Sequence, residues 1–283
     1  MKTPDDLQHV VRNALSEDVG DGDITAQLID PDASARAQVI CRERAVICGT
    51  QWFDATFLEL DKQCKISWQR CDGDWIEENE VACQLEGPAR ALVTGERTAL
   101  NFLQTLSATA TTTRSYAEVL EGKKTTLLDT RKTIPGLRSA QKFAVLCGGG
   151  QNHRIGLFDG ILIKENHIEA AGSIDSAIAR MRIQFPNVPI EIEVESIAEL
   201  NEAIVAGADI LLLDNFTNEQ IADAVSRCAG KAKLEASGGY DFVSLQTIAD
   251  IGVDYISVGA LTKHVRAIDF SMRFLPNEDI PAN

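Results

Sequence analysis

From residue 125 onward, short apolar runs alternate with stretches of helical periodicity. The runs are TTLLD (125–129), ILIK (161–164), PIEIEVE (189–195), DILLLD (209–214), KLEAS (233–237) and DYISVG (254–259). Between them lie SIDSAIARMRIQF, SIAELNEAIVAG, TNEQIADAVSRCAG and DFVSLQTIADIG. Strands apolar on both faces and separated by helices predict parallel βα units. Glu193 to Asp214 is 21 residues, Asp214 to Ser237 is 23 and Ser237 to Ser257 is 20. That regular spacing favours a closed or nearly closed βα barrel over an open sheet.

Before residue 125 the pattern is different. Leu7, Val10, Val11, Ala14 and Leu15 share one helical face within 5–17. GDGDITAQLI reads as a turn, and ARAQVICRE, KISWQR and VACQLEG read as short strands around a helix at 49–60. In TGERTALNFLQ, Thr94 is a helix N-cap by residue type, which places Arg97 in the first turn. The helix dipole disfavours a cation there unless an anion is near. In the last stretch, Ile268, Phe270, Met272 and Phe274 alternate with polar residues. This predicts a half-exposed antiparallel strand that leaves the barrel and joins the N-terminal sheet.

Charge changes the picture most between Arg131 and Lys164. The 283-residue chain has a formal net charge of -15, yet this segment holds six basic side chains (Arg131, Lys132, Arg138, Lys142, Arg154, Lys164) and one acid, Asp159. A basic island in an acidic chain points to an anionic ligand. The overall acidity argues against duplex nucleic acid as partner. No apolar run reaches the length of a membrane span, and MKTPDDLQHVV does not read as a signal peptide. The seven cysteines fit no zinc spacing and read as reduced thiols in a cytoplasmic protein.

In βα barrels the chemistry gathers at the C-terminal ends of the strands. Here those ends carry Asp129 followed by Arg131 and Lys132, then Lys164, Glu193, Asp214, Ser237 and Ser257. The late loops Ser237-Gly238-Gly239 and Ser257-Val258-Gly259 suit a phosphate, because glycine lets backbone N–H groups approach an oxyanion. Carboxylates Glu193 and Asp214 facing cations suggest Mg²⁺ carried with a polyphosphate. A glycosidase acid pair is the rival reading, and the surrounding cations count against it. His153 reads either as a general base or as a neutral donor to a carboxylate, and the neighbouring cations favour the donor.

GERTALNFLQ, LDTRKTIPGLR, GGGQNHRIGLFDGILIKENH, IEIEVE, LLLDNF, EASGG and YISVGAL, in this order, resemble the quinolinate phosphoribosyltransferase family over nearly the whole chain. The resemblance implies an α/β protein with an N-terminal α/β sandwich and an incomplete, TIM-like α/β barrel. The corresponding division is 1–110 with 267–283 for the sandwich and 111–266 for the barrel. It implies transfer of a phosphoribosyl group to quinolinate with loss of CO₂, in NAD synthesis, with Mg²⁺ as cofactor. It also implies a homodimer in which Arg97 reaches the neighbouring subunit's site. Thr130, Arg131, Lys132, His153, Arg154 and Lys164 then match the substrate pocket, with Lys132 and Lys164 also counted as catalytic. Glu193 and Asp214 match the acids at the ribose and the metal, and 237–239 with 257–259 match the 5′-phosphate site. Arg138, Lys142 and His167 stay undecided between ligand contact and ordinary surface. A same-fold relative with another acceptor, such as nicotinate or a molybdenum-associated homologue, and a non-catalytic anion-binding barrel are the alternatives.

Overall fold

The computed structural model describes residues 2–276. In chain order the strands are β1 (Ser34–Cys41), β2 (Ala45–Val46), β3 (Lys65–Trp68), β4 (Trp75–Ile76), β5 (Val81–Pro88), β6 (Thr126–Leu128), β7 (Ile161–Ile163), β8 (Ile190–Val194), β9 (Ile210–Asp214), β10 (Lys233–Ser237), β11 (Tyr255–Ser257) and β12 (Phe270–Phe274). The chain forms two compact units. One comprises the chain up to Arg114, Ile134–Gly149 and the described residues from His264 on; the other comprises Ser115–Thr133 and Gly150–Lys263.

The first unit is built on an antiparallel sheet of order β12-β1-β5-β3. Alternation along β1 buries Ala37, Val39 and Cys41, and the helix Thr50–Leu60 contributes Phe53 and Phe57, one turn apart, to the same core. The C-terminal strand returns to this sheet as its alternation predicts, pairing Ala37 with Phe274 through Cys41 with Phe270. Residues 277–283, assigned with it from sequence, lie outside the described residues.

Two sequence expectations change here. The helix expected to start at Thr94 runs Ala89–Val119, directly from the end of β5. Thr94 is no cap: its hydroxyl donates to the Asp23 carboxylate (3.0 Å). Gly95 is required mid-helix because a Cβ there would stand 2.8 Å from Phe57 Cε1. Arg97 is therefore exposed in the third turn, away from the N-terminal dipole. The second change concerns 134–149, placed in the barrel from sequence. Its helix Arg138–Cys147 presents Ala140, Phe143, Ala144 and Cys147 at helical spacing, and these share a core with Leu7, Val11, Leu15 and Trp52. Lys142 is buried on this helix and so is not helix surface.

The second unit is a six-stranded, all-parallel sheet of order β6-β11-β10-β9-β8-β7 with helices between the strands. Strands β6 and β7 lie at its two edges. This is the incomplete barrel that the family resemblance implies. The connecting helices begin with side-chain caps: Ser196 accepts from Glu199 N–H, Thr217 from Gln220 N–H and Asp241 from Ser244 N–H. Each cap fixes where a strand's C-terminal loop ends and its helix starts. Among the described residues no helix is long and apolar enough to cross a membrane.

Candidate active site

Along β8 the side chains separate by face. Ile190, Ile192 and Val194 are fully buried on one side, leaving Glu191 and Glu193 on the other. Pairing of Ile163 with Ile192 sets the next residue, Lys164, beside Glu193, and the Lys164 ammonium donates to the Glu193 carboxylate. Asp214, the last residue of β9, joins them. Burial first, then the Glu193 charge, raise its carboxyl above the ordinary range, while Lys164 and Lys132 oppose the rise. Four residues singled out from sequence, Lys132, Lys164, Glu193 and Asp214, thus act on one another at one rim.

The other rim elements converge on the same end of the sheet. Asp214 pairs with Ser237, and Ser237 with Ser257, so these three ends are level across β9, β10 and β11. The Lys132 side chain crosses Gly259, where a Cβ would stand 3.0 Å from Lys132 Cδ and 3.6 Å from Thr130 Oγ1. Glycine is needed there to let the lysine pass. Thr130 Oγ1 also accepts from Lys132 N–H (3.1 Å), and the Thr262 hydroxyl donates to the Lys132 carbonyl (2.9 Å). Gly238 lies under the Tyr240 ring, whose hydroxyl donates to Ser237 O (3.1 Å). Burial and the nearby Asp214 push that phenol up to about 12. Gly239 faces open space. Val258, between Ser257 and Gly259, packs into the protein. Its side chain is buried, its N–H donates to Leu128 O (3.0 Å), and its carbonyl accepts from Leu261 N–H (3.4 Å).

The remaining basic residues split. Arg131 and Arg154 are close enough for burial and the Arg131 charge to hold Arg154 below the usual guanidinium range. Arg131 Nε is buried and has no hydrogen-bond partner. Asp159, the lone acid of the basic segment, accepts from Ile155 N–H and Gly156 N–H (2.8 Å each) and so shapes the loop after Arg154. His167 caps the helix Glu165–Ala171, its Nδ1 accepting from Lys164 N–H (2.9 Å). Arg97, Arg138 and Lys142 belong to the first unit.

His153 is held on three sides. Its N–H donates to the buried Asp129 carboxylate (2.9 Å), its Nδ1 accepts from Arg154 N–H (2.8 Å), and its Nε2 lies 2.9 Å from Glu191 and 3.6 Å from Glu235. Because Nδ1 is an acceptor, the ring proton of the neutral imidazole sits on Nε2. The three groups are close enough to invite a metal ion. A metal at Nε2 would need the proton on Nδ1, which faces a donor, so this cluster is hydrogen-bonded rather than metal-binding. The donor role expected of His153 is present, directed here at the protein's own carboxylates.

Residues 23–107 match the quinolinate phosphoribosyl transferase N-terminal domain and residues 109–273 its C-terminal domain. The chain belongs to the quinolinate phosphoribosyl transferase family. Within that family it is similar to the probable nicotinate-nucleotide pyrophosphorylase (carboxylating) of Bacillus subtilis (strain 168), with 40% identity over 276 residues, 97% of this chain and 96% of that protein. The nicotinate-nucleotide pyrophosphorylase (carboxylating) of Mycobacterium leprae (strain TN) is 38% identical over 278 residues, 95% of this chain and 97% of that one. A solved nicotinate-nucleotide pyrophosphorylase from Francisella tularensis superposes with a TM-score of 0.93 at 49% identity, covering 97% of this chain and 98% of that one.

Glu191 and Glu235, which cluster with His153, were not among the residues singled out from sequence. Both are buried, and each keeps one oxygen, Oε1, without a partner. The available signal was position. Glu191 lies two residues before Glu193 and Glu235 two before Ser237, on the same strand face by the two-residue period.

Proposed function

We propose that the protein is a decarboxylating quinolinate phosphoribosyltransferase, converting quinolinate and phosphoribosyl pyrophosphate to nicotinate mononucleotide, pyrophosphate and CO₂ in NAD synthesis. The observation that carries this reading is the Arg131–Arg154 pair, two neighbouring guanidiniums with a buried, unpartnered Nε, in a chain that matches the family along its length. Two forked cations side by side suit two adjacent carboxylates better than one. A nicotinate acceptor would use half of that arrangement.

The charge pattern fits the chemistry. The pyridine nitrogen attacks C1 of the ribose as the bond to pyrophosphate breaks, so positive charge grows on the sugar and negative charge on the leaving group. Glu193 and Asp214 face the first, and Lys132 and Lys164 the second. Serines 237 and 257, with glycines 238, 239 and 259, lie level with them to take the 5′-phosphate. Alkylated on nitrogen, the ring accepts the electron pair left at C2 as CO₂ departs, and that carbon then takes a proton. No covalent link to the protein is needed.

Carboxylate oxygens of Glu193, Glu195 and Asp214 lie within 4.8 Å of one another, and burial, then the Glu193 charge, raise the Asp214 carboxyl against Lys164 and Lys132. Such a donor set fits Mg²⁺, with Glu193 and Asp214 the holders. The ion would neutralise charge on the pyrophosphate. The reading includes a homodimer, with exposed Arg97 supplied to the neighbouring subunit's site. Leu157 and Phe158, 75% and 85% exposed beside an apolar groove along β7, support a covered face there. All seven cysteines are free, which supports a reducing, cytoplasmic setting.

The test is direct. Purified protein with Mg²⁺, quinolinate and phosphoribosyl pyrophosphate should release CO₂ and form nicotinate mononucleotide. Turnover of nicotinate in place of quinolinate would assign the other acceptor, and binding of both substrates without turnover would make the barrel a non-catalytic anion binder.

A further inference from the structure

Three polar groups where a barrel of this kind normally packs aliphatic side chains need a reason. Glu191 is 5% exposed and Glu235 1%, and carboxylates taken out of water are costly unless partners offset the loss of hydration. His153 ties them to the anion site. From Glu191 the chain of contacts runs through Nε2–H and the ring to Nδ1, and from Nδ1 to Arg154 N–H. Asp129 holds the same residue from the main-chain side. Both ring nitrogens are engaged by the protein, which leaves His153 neither a free base nor a metal ligand in this arrangement. What the arrangement does provide is a fixed ring, a fixed tautomer and a fixed start for the Arg154 side chain.

We propose that Glu191 and Glu235 are positioning residues of the acceptor pocket: they hold His153 as its Nε2–H tautomer, and His153 through Nδ1 anchors the Arg154 backbone, so that Arg154 stands beside Arg131 to receive a ring dicarboxylate. The pocket part of this inference rests on the proposed function; the tautomer part does not. Glu191 is the nearer acceptor and dominates. Glu235, the farther one, confines the ring from the β10 side. Replacement of Glu191 by an apolar residue of similar length leaves the Nε2–H without its acceptor in a buried place, which is costly, and the ring then turns or exchanges its proton; replacement of Glu235 leaves that hydrogen bond in place and frees the ring on the β10 side.

Two measurements test it on the full-length protein. Long-range ¹⁵N–¹H correlation of histidine-labelled enzyme reads the tautomer of His153, with His153→Asn giving the assignment. The wild type should show an unprotonated Nδ1 and a protonated Nε2. Glu191→Met should show mixed tautomers, and Glu191→Gln, whose amide oxygen still accepts, should keep the wild-type pattern. In steady-state kinetics, Glu191→Met and Glu235→Met should raise KM for quinolinate about tenfold or more and leave KM for phosphoribosyl pyrophosphate nearly unchanged, with Glu191→Gln restoring most of the loss. An unchanged tautomer in Glu191→Met would overturn the inference even if the protein turns over no quinolinate. Equal rises in both KM values would overturn it as well, because they would report a general loosening of the barrel. Should Glu191→Met not fold, Glu235→Met decides: a KM rise confined to quinolinate supports the inference, and equal rises in both KM values overturn it.

Discussion

Lys164 pairs with Glu193 and restrains Asp214, and its removal is expected to separate catalysis from stability. Lys164→Met keeps the length and apolar stem and deletes the ammonium that Glu193 accepts from and that restrains Asp214. Two unit charges about 4 Å apart attract by about 4 kcal/mol at an effective dielectric near 20. The lysine side chain is 44% exposed and that of Glu193 16%, so screening and the ordering of a long side chain reduce the resting contribution to about 1 kcal/mol or less. For a chain of this size that corresponds to a fall of about 2–4 °C in Tm. In the proposed reaction the same ammonium would meet charge that grows on the pyrophosphate, and loss of one preorganised donor at such a centre costs about 10²–10³ in kcat. The expected result is therefore a folded enzyme with a nearly native melting curve and a kcat lowered by two to three orders of magnitude, about 2.7–4 kcal/mol. Product formation under saturating substrates and differential scanning calorimetry read the two numbers. A kcat within a few-fold of wild type would remove Lys164 from the reacting charge. A large fall in Tm alongside the lost activity would make it a structural cation.

Three further outcomes are expected. Arg97→Ala and Lys164→Ala, each inactive alone, should regain activity when mixed under conditions of subunit exchange, because a heterodimer carries one site with both residues; no recovery with exchange confirmed would refute a shared site. Gly95→Ala should destabilise the first unit by about 1–3 kcal/mol through overpacking against Phe57, despite alanine's better helix propensity, as read from urea midpoints. Glu235 adds a pH dependence. Burial, then the Glu191 charge, raise its carboxyl to about 7 from 4.5. The folded state therefore binds the proton more tightly than the unfolded chain, and stability falls as pH rises from about 4.5 through 7. Glu235→Gln should flatten that part of the stability curve, and an unchanged slope would show that folding does not raise this carboxyl.

Much of the fold can be read from the chain because its strands announce themselves twice, by apolar content and by spacing. ILIK, IEIEV, ILLLD and KLEAS all became parallel neighbours, and the period-two alternation of 268–274 correctly sent the last strand to the antiparallel sheet. The errors arose where a local signal competed with a distant partner. Thr94 is a good N-cap residue, but its hydroxyl is taken by Asp23, 71 positions earlier, and the helix simply continues from β5. The segment 134–149 sits between two barrel strands in sequence, yet its apolar face is completed only by Leu7, Val11, Leu15 and Trp52. No local window contains that information.

The site divides in the same way. Residues at strand ends were legible because the barrel rim collects chemistry by construction. Glu191 and Glu235 were not, because they lie inside their strands rather than at the ends where rim chemistry was sought. Only the folded structure shows that both are buried. This alters what the basic island means. Of its six cations, Arg138 and Lys142 go to the first unit, while Asp159 spends both oxygens on backbone N–H groups. Arg131, Lys132, Arg154 and Lys164 remain, and they meet Glu191, Glu193, Asp214 and Glu235 from strands far downstream. Such a site is not a reservoir of net positive charge. On the proposed function, selectivity for a dianion comes from segregation, with guanidiniums at one place and carboxylates at another, and from a donor such as Arg131 Nε that nothing in the protein satisfies. A ligand carrying the same charge without two adjacent carboxylates would leave that donor unpaired, and a buried unpaired donor costs about 1–3 kcal/mol, enough to discriminate between acceptors of equal charge.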